Sequence, residues 1–468
     1  MKNGLFSSYW DGIKKDNGGE TYENIFFKYF LPEYITALFL YSALSFLDSY
    51  FIGLLKSVSS FGALSSTNTL LHWFIKIGEA FSVSSIIMCG MSNGAKKYEE
   101  VGQTLKDTFW VIIVCAAIFC SALFFGAPWI FWFLGTPGKI VVKALPFLKV
   151  KALALFFMYI YFAFIGFLRG IKNTRTPMNI FIIGALVFIF FDYALIFGNF
   201  GLPVLKLQGS AVATLLQYMT MNVIMAGVVF FNPEYKKYSI SLFKHALNWA
   251  NIRRFLELSW PVMLDKSSIA IAYIWINKMI SPMGKIAVAS FGAIKEVERF
   301  GFLPAMAFAQ IITFLASNDY GAQRFERIKP NIKRSIFLAS ALVFVILFSC
   351  SLFPKTIIRM FDSKNAFTDF AAKVFPALSI FVFLDVVQII LSGALRGVGQ
   401  IKTVMWTRLI IIFGLFMPST YLVSNYLDVN WQMKFILIYV MFYIGSGIMG
   451  CIFINKFRSE DWTKAFKV

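Results

Sequence analysis

The chain has 468 residues, of which 58% are hydrophobic, 18% aromatic and only 15% charged, and its mean hydropathy is +0.70. No soluble core hides that much apolar surface, so the composition excludes a water-soluble globular protein and points to lipid as the solvent. The net charge of +20 does not signal nucleic-acid binding, because the lysines and arginines fall mainly between apolar runs, where the loops on the inner side of a membrane carry them.

Residues 1–30 are polar and amphipathic, without the short apolar core and small-residue cleavage site of a removable signal. They read as a cytoplasmic or interfacial segment, with Phe26, Phe27, Tyr29 and Phe30 at the membrane surface. From Pro32 onward the apolar runs are continuous rather than alternating, which predicts helices and not barrel strands. Twelve spans are expected. In the first half they lie near 31–55, 61–90, 105–127, 145–168, 177–198 and 208–231. In the second half they lie near 260–281, 286–317, 335–354, 372–394, 403–425 and 432–455. The fold class expected is an all-α polytopic membrane protein with two six-helix lobes, at 31–231 and 260–455. A cytoplasmic linker, 232–259, joins them, and a tail follows at 456–468. The linker ends in an amphipathic stretch expected to lie on the membrane surface. Basic loops at Lys96–Lys106, Arg169–Arg175, Lys236–Arg254, Arg324–Arg334 and Arg396–Arg408 place both termini in the cytoplasm.

The two halves repeat each other. Leu168-Arg169-Gly170 returns as Leu395-Arg396-Gly397, Leu31-Pro32 as Trp260-Pro261, and Ser60-Phe61-Gly62 as Ser290-Phe291-Gly292, always in the same order. Duplicated six-span halves share one orientation and are related by a pseudo-twofold axis along the membrane normal, an arrangement typical of transporters. Arg169 and Arg396 are expected to be structural, binding exposed carbonyls at the ends of neighbouring helices.

A charge inside a bilayer costs about 2.5–3.5 kcal/mol on insertion scales, so each one needs a reason. Asp48, Asp192 and Asp385 stand in spans with no opposite charge within a turn of their own segment. In the eighth span Lys295 with Glu298, and Glu296 with Arg299, are three apart and can neutralise each other. Asp265 and Lys266 are adjacent and point in different directions. The sequence has no phosphate-binding loop, HExxH or GxSxG. Its five cysteines read as small hydrophobes, and His72 and His245 are too far apart in sequence to suggest a metal site. With no nucleotide engine and no recognisable catalytic set, energy has to come from an ion gradient acting on groups inside the membrane.

Leu168-Arg169-Gly170 with Thr174-Arg175-Thr176-Pro177, then Asp192-Tyr193-Ala194-Leu195-Ile196-Phe197-Gly198, Gly209-Ser210-Ala211-Val212-Ala213-Thr214, and Asp385, Gln388 and Leu395-Arg396-Gly397 together resemble the multidrug and toxic compound extrusion (MATE) family. The resemblance implies two lobes around a cleft, and antiport of a proton or sodium ion against amphipathic, often cationic compounds. It further implies that Asp48, Asp192 and Thr214 form the ion-coupling site of the first lobe. Asp385, Gln388, Glu296 and Glu298 would then line the substrate and cation cleft. Phe188 stands where many members carry an asparagine, and Ile269 near a position that carries glutamate in sodium-coupled members. The first departure removes a ligand and favours protons over sodium. The second-lobe counterpart of Asp48 is Asn277, which leaves the acids asymmetric. The expected chain works without a cofactor, as a monomer in a bacterial plasma membrane, and touches only lipid and small amphipathic substrates. The alternative in the same superfamily is a flippase for a lipid-linked oligosaccharide, which needs a basic lining such as Lys295 and Arg299 would begin.

Overall fold

A computed structural model describes residues 18–133, 137–244, 246–362, 365–459 and 461–464, and among these the regular structure is entirely helical. Twelve long helices follow one another: α1 (24–54), α2 (Val58–Gly94), α3 (Tyr98–Phe133), α4 (Gly138–Gly170), α5 (Arg175–Phe197), α6 (Leu207–Phe231), α7 (Trp249–Ile280), α8 (Lys285–Gly321), α9 (Ile328–Leu352), α10 (Thr368–Gly397), α11 (Ile401–Asn425) and α12 (Trp431–Arg458). Every expected span falls on one of them. Ten are long and apolar enough to cross a membrane by length and composition. The other two are α1, which is interrupted by π-helical turns at Asn24–Phe30 and Phe39–Ala43, and α7, which carries more charge.

The chain forms two compact units. One comprises Ile35–Met263; the other joins the residues up to Tyr34 to those from Leu264 onward. In each unit the second helix is the best covered. The apolar windows of α2 and α8 are 83% and 78% buried, while those of α3 and α9 are 22% buried, which puts the latter pair on the outside of their units. α2 packs most extensively on α4, and α8 on α10.

Glycines let those two pairs approach. In α4, a Cβ added at Gly166 would stand 2.5 Å from the Ser85 Cβ, and one at Gly170 would stand 2.6 Å from the Cys89 Cβ. In α10, the corresponding atoms at Gly393 and Gly397 would run into the carbonyl oxygens of Ala309 and Thr313. The repeated Gly-x-Leu-Arg-Gly is therefore a small-residue seam of the kind that brings membrane helices together. Both helices end in the same cap. Asn173 N–H bonds the Leu168 carbonyl and Gln400 N–H the Leu395 carbonyl, each at 2.8 Å. The left-handed residue is Lys172 (φ 64) in one and Gly399 (φ 83) in the other.

The ends of the units depart from the expected boundaries. Tyr29 and Phe30 are not interfacial. They are buried in the second unit, with Tyr29 5.5 Å from the Phe314 ring and Phe30 stacked 4.5 Å from Phe308. Glu20 N–H donates to Asn331 Oδ1 at 2.8 Å, and the guanidinium groups of Arg327 and Arg334 donate to the Gly18 and Glu20 carbonyls. The linker is equally well held, in the first unit. Lys106 and Trp110 of α3 donate to the carbonyls of Ala246 and Leu242, at 2.7 and 2.9 Å, and Asp107 accepts from Asn248 N–H and Asn251 Nδ2. From Trp249 the linker is already α7, so the amphipathic stretch and the seventh span are one helix. Outside the spans, Asp362 caps the start of α10. Burial works to raise its carboxyl, but hydrogen bonds from the Phe367, Ala366 and Thr368 N–H groups and the Thr368 hydroxyl bring it down from 3.8 to about 2.

Candidate ion-coupling site

In the first unit Asp48 of α1 and Asp192 of α5 are both buried, 6% and 0% exposed. A third charge joins them that the acid-by-acid reading passed over. Lys151 of α4 is 8% exposed and places its Nζ 3.8 Å from Asp48 Oδ2. The same ammonium donates to Thr214 Oγ1 of α6 at 2.8 Å, and Thr214 in turn donates to the Ser210 carbonyl at 3.0 Å. Asp48, Asp192 and Lys151 lie within electrostatic reach of one another. Asp48, Asp192 and Thr214 therefore do meet in one unit, and they meet around a lysine. Its signal was in the sequence, because a lysine inside the fourth span carries the same membrane cost that singled out the acids.

Asp192 is the least satisfied member. Neither carboxylate oxygen has a hydrogen-bond partner, and Asp48 Oδ1, Ser210 Oγ and Gln217 Nε2 are likewise buried without one. A buried carboxylate with nothing to accept from is costly as an anion, and a proton or a cation relieves that cost.

The second unit gathers a different cluster. Glu298 of α8, 2% exposed, accepts from Tyr439 and Tyr443 of α12 at 2.6 and 2.7 Å, and Lys295 Nζ lies 3.9 Å from the same oxygen. Lys295 stands 4.2 Å from the centre of the Tyr273 ring. Asp385 of α10 accepts from Ser446 at 2.9 Å and lies within electrostatic reach of Lys295. Gln388, one turn further on, is buried with its Nε2 unpartnered. Glu296 does not belong to this cluster: it pairs with Arg299 at 2.7 Å on the exposed side of α8.

Two further expectations change. Arg396 binds a carboxylate and not helix-end carbonyls. With Arg408 of α11 it clamps Asp265 of α7, whose side chain is 0% exposed. Asp265 therefore finds its partners on α10 and α11 and, as expected, not in its neighbour Lys266. Arg408, grouped with the basic loops by its position in the sequence, is buried. A groove of about 590 Å³ also opens in the first unit, walled by Phe81, Phe119, Trp249, Trp260 and Met263. Its two charged residues, Arg253 and Glu257, pair at 2.9 Å.

A duplicated bundle of membrane-crossing helices, each half burying two carboxylates around one lysine, defines a polytopic membrane protein with a titratable interior. Comparison with known proteins supplies the family. The MatE family model matches residues 34–194 and 261–422, and the chain belongs to that family. It is 26% identical to the probable multidrug resistance protein YoeA of Bacillus subtilis over 395 residues, covering 80% of this chain and 81% of that one. It is also 26% identical to the probable multidrug resistance protein NorM of Thermotoga maritima, covering 63% and 62% of the two chains. Among solved structures, an outward-facing multidrug resistance MATE family transporter of the MOP superfamily superposes with a TM-score of 0.86 at 16% identity, covering 98% of this chain and 99% of that one.

Proposed function

We propose that the protein exports amphipathic cations from the cell in exchange for protons, with Asp48 and Asp192 as the coupling pair. The observation that carries this reading is Asp192, fully buried with both oxygens unpartnered beside a second acid. Two acids and one ammonium close together in a low dielectric disfavour full ionisation, so a proton belongs to the resting site. Taking it up and giving it away can bias two arrangements of the unit, which is what coupling to a gradient needs. The relatives named for multidrug resistance agree with this direction of transport. We place the chain in the plasma membrane with both termini inside, from the bias of its basic loops, and give Asp385 and Glu298 the role of attracting the cationic substrate.

The buried lysines count against the oligosaccharide flippase. A pyrophosphate site needs positive charge to spare, whereas Lys295 faces Glu298 and Asp385 and Lys151 faces Asp48.

The test is reconstitution into liposomes with ethidium as the probe. Asp192→Asn and Asp48→Asn are expected to lower proton-driven ethidium uptake by at least about tenfold while binding changes less than about twofold. Asp385→Asn is expected to weaken binding instead. Full-rate driven uptake by Asp192→Asn would refute the assignment.

A further inference from the structure

Lys151 does more than fill a buried corner. Three helices converge on its ammonium, with Asp48 from α1, Thr214 from α6 and its own α4. Lys149, two residues earlier on the same helix, turns instead to the Phe124 ring of α3, 5.1 Å away. Other charged groups on the packed elements have partners of their own. Lys76 and Glu79 of α2 pair at 2.9 Å, and Lys143 of α4 donates to Ser57 and Ser60 at 2.9 and 3.0 Å. Tyr159 of α4 donates to the Phe74 carbonyl at 2.6 Å, and Tyr218 of α6 is buried within electrostatic reach of Glu79. The charge inside the pocket is then two carboxylates against one ammonium.

We propose that Lys151 is a tethered monovalent cation. It occupies the Asp48–Thr214 side of the pocket, where a free metal ion would otherwise find carboxylate and hydroxyl oxygens, and leaves Asp192 as the one group that loads and unloads a proton. The inference rests on the reading of Asp48 and Asp192 as the coupling pair. It adds what that reading lacks, a reason for selectivity. With the ammonium in place a single proton makes the pocket neutral, and a sodium ion would have to displace a cation that is covalently held. Without it, two carboxylates, Thr214 and Ser210 would remain with no cation, an oxygen set suited to a hard monovalent ion.

The experiment measures binding of radioactive sodium to the purified full-length protein at alkaline pH, with no transport substrate present. The unaltered chain is expected to show no saturable sodium binding. Lys151→Met is expected to acquire it, and Lys151→Met combined with Asp192→Asn to lose it again. Lys151→Gln, which keeps a donor for Thr214, is expected to gain sodium binding too and serves if the methionine variant does not fold. Lys151→Arg is expected to stay sodium-blind. Sodium binding by the unaltered chain that Asp192→Asn abolishes would overturn the proposal, as would a folded Lys151→Met or Lys151→Gln that binds none. Because no arm uses ethidium, the expected sodium pattern across the variants, with an unaltered chain that exports nothing, would refute the export reading and leave this one standing.

Discussion

Asp265 shows how much a single buried charge can organise. Its carboxylate joins α7 to α10 through Arg396 and to α11 through Arg408, and all three side chains are largely out of solvent. Removing the acid leaves two cations without their counter-charge in a low-dielectric interior, a change that costs about 3–5 kcal/mol where buried pairs have been broken. Asp265→Ala is therefore expected to abolish most folded protein, read as loss of the monodisperse peak in detergent size-exclusion chromatography. Removing Asp265, Arg396 and Arg408 together, for apolar residues of similar volume, should recover much of it. A well-folded Asp265→Ala variant would show that the clamp contributes little. These tertiary pairs were not legible in the sequence. Pairs three apart on one helix, such as Glu296–Arg299 and Lys295–Glu298, follow from helical spacing. Asp265 with Arg408, or Lys151 with Asp48, meet only once helices distant in the chain have packed.

At the scale of the helix, hydropathy was a good guide, and each of the twelve apolar runs fell on one of the long helices. The starts of α1 and α7 were not visible. In both, polar or amphipathic sequence runs into the span without a break, so the helix, capped by Thr21 in α1 and by Asn248 in α7, begins before the composition turns apolar. The repeated Leu-Arg-Gly could be seen as a repeat, but its meaning came from packing. The glycine three before the arginine and the one just after it set how closely α4 meets α2 and α10 meets α8. A methyl group at Gly393 would press on the backbone of Ala309, which cannot rotate away. Gly393→Ala is accordingly expected to lower stability by about 1–3 kcal/mol, seen as a lower thermal unfolding midpoint in detergent. Gly227→Ala on α6, with nothing within 4 Å, should leave it unchanged. Equal midpoints for the two would argue that the seam is not tight.

Across the whole molecule, each compact unit contains the segment that leads into the other's first helix. Residues 18–34 pack with the unit that begins at Leu264, and the linker packs with the unit that ends at Met263. The lead-ins are held by equivalent helices, by Arg334 and Asn331 of α9 and by Lys106 and Asp107 of α3. Arg334 also lies 5.4 Å from the Tyr22 ring. Arg334→Ala is expected to free the first lead-in, raising amide exchange over Asn24–Phe30 about tenfold, equivalent to ~1.4 kcal/mol of lost docking. Unaltered exchange there would mean that Phe30 on Phe308 is enough to hold it. The docking also has a consequence for how the protein is made. Glu20 and its partner Asn331 are 311 residues apart in the chain, and ribosomes add roughly 5–20 residues each second. Residues 18–34 thus wait roughly 15–60 s for the surface they will rest on. The whole Ile35–Met263 unit can be inserted and packed in that interval, so a segment made before that unit is put in place after it.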